Sequence, residues 1–123
     1  MAESQSFSAA LQHWHRDHDA KTALRALDAH ERRFPQGQIR LEAVLLRAEL
    51  LLSQGQEIDG LNLLDRVRLG GLPRARELHT VRGELRIKFG RCAEGRADLA
   101  EVLAGGGSDA FGGRATRALA HCP

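Results

Sequence analysis

The sequence predicts an all-α fold of stacked antiparallel helix hairpins, and three observations lead there. Apolar residues recur at helical spacing, most clearly over Leu41–Leu52, with charges on the remaining face. β-branched residues are scarce and no run alternates apolar and polar for long, so strands are not expected. Breaks recur regularly, at Phe34-Pro35-Gln36-Gly37, Ser53-Gln54-Gly55-Gln56, Gly70-Gly71-Leu72-Pro73, Phe89-Gly90-Arg91 and Gly105-Gly106-Gly107-Ser108. The segments between them have the length of short globular helices. Six or seven helices follow, within a single domain spanning residues 1–123.

Composition supports a packed domain. Of the 123 residues, 42% are hydrophobic and 28% charged, a globular mixture rather than a disordered one. A chain of this length buries roughly two-thirds of its unfolded surface. The aromatic residues are Phe7, Trp14, Phe34, Phe89 and Phe111 alone, so the core is built mostly from Leu and Ala.

The elements repeat. The segment Gly55-Gln-Glu-Ile-Asp-Gly-Leu-Asn-Leu-Leu aligns without gaps on Gly90-Arg-Cys-Ala-Glu-Gly-Arg-Ala-Asp-Leu, 35 residues later. Gly55 then matches Gly90, Gly60 matches Gly95, Leu64 matches Leu99 and Val67 matches Val102. The same offset pairs Ala43 with Leu78, Ala48 with Gly83 and Leu50 with Leu85. An earlier copy lies at an offset of 37 and pairs Trp14 with Leu51, Ala23 with Gly60 and Leu27 with Leu64. It closes at Phe34-Pro35. After the third copy, Ser108-Asp109 offers an N-cap for a last helix, Ala110–His121. Its polar residues Arg114, Thr116 and Arg117 suit the terminal helix that shields a stack of repeats from solvent.

This pattern resembles the tetratricopeptide repeat, a helix-turn-helix unit of about 34 residues. The second copy supplies the motif's small, bulky and glycine positions as Ala48, Leu51, Gly55, Gly60, Leu64 and Val67, with Pro73 one position late. The third supplies Gly83, Gly90, Gly95, Leu99 and Val102, and the first supplies Trp14, Ala23, Leu27 and Pro35. The chain departs from the motif at Arg86, where a bulky apolar residue belongs. It departs again at Leu11, at His18 where glycine belongs, and at His30 where alanine belongs. The resemblance covers residues 5–122 and implies a right-handed solenoid of about three repeats plus a C-terminal capping helix.

Charge and targeting bound the function. Eighteen basic and 16 acidic residues give a formal net charge of +2 with the signs interspersed, which does not suit a dedicated nucleic-acid binder. Lys21 and Lys88 are the only lysines; this Arg-, Ala-, Gly- and Leu-rich composition suits a G+C-rich bacterial genome. The polar segment Met1–Ser8 lacks a secretory pattern, and no apolar run approaches the roughly 20 residues that span a bilayer. No membrane insertion is expected. A cytoplasmic location is, with a periplasmic fragment of a longer chain as the alternative.

Residues that could carry chemistry are few. His13 and Asp17 are one helical turn apart, and His15 and His18 share another face, but two-ligand faces fall short of a zinc site. Solvent-exposed imidazoles at a polar helix end are the expectation, with Trp14 as a core residue. Gly105-Gly106-Gly107-Ser108 lacks the Gly-Lys-Ser/Thr ending of a phosphate loop and reads as a connector. No nucleophile constellation stands out, so no enzyme activity, metal or cofactor is expected. Cys92 and Cys122 are too few for a disulfide framework and read first as small buried thiols. In the stack that the resemblance implies, however, Cys122 would approach the turn carrying Cys92. A bridge there would argue for an oxidising compartment.

The resemblance also implies a binding face, because first helices of that family line a concave groove. Its register places Gln12, His15 and Arg16 there from the first repeat, and Glu42, Leu45, Glu49 and Leu52 from the second. The third contributes Glu77, Thr80, Glu84, Ile87 and Lys88. Glu49 and Glu84 would then be stacked neighbours, as would Glu42 and Glu77, around apolar anchors Leu45, Leu52 and Ile87. Such a groove suits a basic, amphipathic peptide or helix. It does not suit the acidic tails held by the family's carboxylate-clamp members. Arginines such as Arg47 and Arg82 could instead neutralise the glutamates. The expected function is a non-catalytic interaction scaffold or adaptor, docking a partner protein within a bacterial signalling or assembly complex. Two alternatives stand beside it: a self-associating module seeded by exposed Phe7 or Phe111, and a metal-binding sensor using the N-terminal histidines.

Overall fold

A computed structural model describes residues 2–123, and among these every regular element is an α-helix. The helices are α1 (Ala2–His15), α2 (Ala20–Arg33), α3 (Arg40–Ser53), α4 (Glu57–Asp65), α5 (Ala75–Lys88), α6 (Cys92–Ala104) and α7 (Ala110–Leu119). They fall into two compact units, one ending at Arg66 and the other running from Val67 to Pro123.

In the first unit α1 packs on α2, α3 packs on α4, and α3 also meets α1 and α2. Its core is aliphatic, as the composition requires: Ala10, Ala23, Leu27, Ala43, Leu46 and Leu50 are buried. Trp14 is half-buried against this cluster and takes the expected core role. Phe7 also packs there rather than standing exposed. In the second unit α5 and α6 form a hairpin and α7 packs on both. Leu99, Val102 and Ala115 are its centre, with Phe111 and Ile87 packed around them. Phe111, like Phe7, is thus not an exposed seed for self-association. The large apolar residues that do reach solvent are Leu41, Ile58 and Phe89.

The 35-residue repeat reappears as contact geometry. At Gly60 an added Cβ would lie 2.7 Å from Leu52, and at Gly95 the equivalent atom would lie 2.6 Å from Ile87. Glycine lets α4 approach α3, and α6 approach α5, closely enough for those side chains to fill the crossing. The turns match as well. His18, Gly55 and Gly90 occupy the same place in successive hairpins, and their φ angles are 53°, 75° and 82°. The His18 departure therefore keeps the left-handed turn that the glycines adopt, without glycine's freedom.

Helix starts follow local chemistry. Asp19 caps α2 by accepting a hydrogen bond from the Thr22 N–H at 3.1 Å. Asp109 caps α7 by accepting from the Gly112 N–H at 2.8 Å. The last helix ends at Leu119, two residues short of the expected His121. Beyond it, Cys122 forms a disulfide with Cys92, their Cα atoms 5.9 Å apart. Neither cysteine is a free buried thiol.

Candidate functional site

Two helical stripes face each other in the second unit. Glu84, Ile87 and Lys88 follow one face of α5 at spacings of three and four residues. Arg114, Arg117 and Ala118 do the same on α7, and His121 extends the line past its end. Together they line a cleft of about 670 Å³. Ile87 and Ala118 give it an apolar floor, since both pack against the Leu99–Val102 core. Arg114 bonds Glu84 through its Nε at 3.1 Å, joining the two walls. This hydrogen bond is also the main reason the Arg114 guanidinium holds its proton more tightly than usual. With that pair neutral, Arg117 adds a positive charge to the wall of the cleft.

Three of the expected groove residues, Glu84, Ile87 and Lys88, thus share one cleft. Thr80 does not belong to any surface. It is fully buried, its hydroxyl donating to the Arg76 carbonyl at 2.8 Å, so it cannot touch a partner. Glu77 is taken up locally by Arg74, at 2.9 Å. The Arg74 hydrogen bond is the chief cause that holds the Glu77 carboxyl below its ordinary value. In the first unit, Gln12, His15, Arg16 and Glu42 are exposed, and Leu45 and Leu52 are half-buried. Glu49 is half-buried and engaged by other groups. The acidic ladder is therefore compensated at Glu77 and Glu84 by Arg74 and Arg114. Arg47 and Arg82 serve other acids. Arg47 bonds Asp28 and Glu31.

Arg82 belongs to a polar node that sequence reasoning missed. Asp98 is 2% exposed and accepts from Arg82 at 2.7 Å and Arg86 at 2.8 Å, with His79 Nδ1 also at 2.8 Å. Arg82 further donates to the Val67 carbonyl. The node explains the Arg86 departure from the repeat pattern: a guanidinium replaces the bulky apolar residue because a buried carboxylate receives it. The available signal was the helical spacing of His79, Arg82 and Arg86, which puts three basic side chains on one face.

The N-terminal histidines stay apart from this chemistry. His13 Nδ1 lies 3.5 Å from Asp17, and Trp14 meets the His18 ring edge-on. Among the described residues, no group of three or more His, Cys, Asp and Glu is placed to hold a metal ion. Nor is any helix among them long and apolar enough to cross a membrane. No known family's sequence profile matches the chain, and no curated protein is similar to it.

Proposed function

We propose that this chain is a non-catalytic interaction module of tetratricopeptide-like hairpins, docking a peptide or helix of a partner protein. The observation that carries the reading is the α5–α7 cleft, where an apolar floor lies between charged walls. Such a site rewards an amphipathic segment: an apolar side chain over Ile87 and Ala118, and an acidic group toward Arg117. Glu84, the acid of this cleft, is matched by Arg114, which supports an acidic rather than a basic group on the partner. The disulfide supports a setting oxidising enough to keep Cys92 and Cys122 joined.

The test is affinity capture from the source lysate under non-reducing conditions, with wild type beside a Lys88→Glu/Arg117→Glu variant. Circular dichroism first establishes equal helicity. The reading predicts a protein retained by wild type and lost by the variant. Equal retention overturns the cleft as the docking site. A second reading, self-association, draws on Ile58, which is 60% exposed on α4. Sedimentation velocity across a concentration series, with Ile58→Ser as control, separates it from partner docking.

A further inference from the structure

The disulfide of the second unit adjoins the α5–α7 cleft. Cys122 follows directly on His121, which lines the cleft, and is joined to Cys92, the first residue of α6. Both cysteines are half-buried rather than enclosed in the core. They are the only two cysteines in the sequence, so a thiol reductant has a single target in this chain.

The helix α7 is anchored unevenly along its length. Several independent contacts hold its first half. Asp109 caps it and also pairs with Arg76. Ala115 is fully buried in the core, with Phe111 packed beside it. Arg114 is joined to Glu84 on α5. The second half is held differently. Ala118 and Leu119 are half-buried against the Leu99–Val102 core, and Arg96 donates to the Pro123 carbonyl at the exposed surface. Arg117, Ala120 and His121 are exposed. The covalent tie between this end and α6 is the disulfide. This less anchored half carries Arg117, Ala118 and His121, most of the α7 wall of the cleft.

We propose that the Cys92–Cys122 disulfide is a redox switch on this cleft. Oxidised, it fixes the wall that carries Arg117 and Ala118; reduced, it releases that wall while the rest of the unit stays folded. The switch rests on the reading of the cleft as a docking site. Its chemistry is thiol–disulfide exchange with a dithiol. One thiolate of the dithiol attacks a cysteine sulfur, the S–S bond breaks, and the other cysteine leaves as a thiolate and takes up a proton. The second thiol of the dithiol then attacks the mixed disulfide. Both cysteines end as thiols, the dithiol ends as a cyclic disulfide, and two electrons have passed to the protein. A helix freed at its C-terminal end frays from that end, where its carbonyls lack intrahelical partners. Fraying reaches Leu119, Ala118 and Arg117 before Ala115 and the Arg114–Glu84 pair. The cleft then loses its cation for an acidic partner and one side of its apolar floor. If the freed wall is docked less than about one-fifth of the time, apparent affinity falls by about fivefold or more.

The experiment compares the oxidised whole chain with the same chain in dithiothreitol, by two readouts. Methyl ¹H–¹³C spectra follow Ala118 and Leu119 beside Ala115 and Val102. Fluorescence anisotropy follows a labelled helical peptide that presents leucine and glutamate one turn apart. Reduction should move the Ala118 and Leu119 methyl signals to their unfolded positions, leave those of Ala115 and Val102 in place, and weaken the peptide by about fivefold or more. Reoxidation should restore both. Cys92→Ser/Cys122→Ser should behave as the reduced chain and ignore dithiothreitol; if it loses helicity, reversible reduction of the wild type decides alone. Unchanged Ala118 and Leu119 signals overturn the switch. So does loss of the Ala115 and Val102 signals with them, because the whole unit would then unfold. Equal peptide binding by the two forms overturns the switch and leaves the cleft as the docking site. Peptide binding by neither form, or binding that Arg117→Glu does not weaken in the oxidised chain, overturns the cleft reading itself, and the regulation of docking with it.

Discussion

His18 and Asp98 show what single side chains cost and contribute in this fold. His18 holds φ at 53° where the equivalent turns of the later hairpins carry glycine. Its side chain gains only an edge contact with Trp14. His18→Gly should therefore be neutral to stabilising, by up to about 1 kcal/mol, in urea denaturation. Replacing Gly55 or Gly90 by histidine should cost a similar amount. Asp98 behaves oppositely. Asp98→Ala removes the carboxylate shared by Arg82, Arg86 and His79, and should destabilise the chain by about 3–5 kcal/mol in the same assay. The node was not legible as a site, because its acid lies on α6 and its bases on α5. Helical spacing could reveal the basic stripe but not the residue that would face it. His30 was legible as an anomaly in the repeat, but nothing in the sequence showed that its Nδ1 would lie buried without a hydrogen-bond partner among the described residues.

At the scale of elements, packing depends on what a glycine faces. An added Cβ at Gly60 meets the flexible end of Leu52, whereas at Gly112 it meets the backbone of Gly107 at 2.5 Å. Both alanine substitutions should destabilise, and Gly112→Ala more, by about 1–3 kcal/mol. Thermal melts of the two variants check the order. The caps set an acid limit on α2 and α7. Asp19 is held below the ordinary aspartate value chiefly by the Thr22 hydroxyl, and Asp109 chiefly by Arg76. Each carboxylate is favoured in the folded state, so its contribution is complete above the unfolded pKa and is lost as pH falls through the folded one. NMR titration should place both midpoints below the ordinary value, with N–H protection at Thr22 and Gly112 failing in that range. Helix order, the later turns and the close glycine crossings were readable from 35-residue spacing. The turn at His18 was placed only by the 37-residue offset, because it carries neither of the residues, Gly and Pro, that punctuate a sequence. The two residues beyond α7 read as helix because their end is tied by Cys122 rather than announced by a breaker.

At the scale of the whole chain, the cross-link matters most. The disulfide closes a loop of 30 residues containing α6 and α7. Its reduction should lower stability by about 3–4 kcal/mol on chain-entropy grounds. Hydrogen exchange in dithiothreitol should show the loss in residues 67–123, and α7 should lose protection before α6, because its C-terminal end is the one set free. The expected groove was only partly readable for a related reason. Glu84 and Arg114 are 30 residues apart, so their pairing depends on where α7 docks, which no local pattern encodes. The same cross-link also divides the chain under mechanical load. Pulled from its two ends, the oxidised chain can extend only outside the loop, and residues between the cysteines carry no tension. At about 3.4 Å per residue, the 30-residue separation conceals roughly 100 Å of contour length. A force-extension trace would show that length appearing as a separate step once a reductant is added.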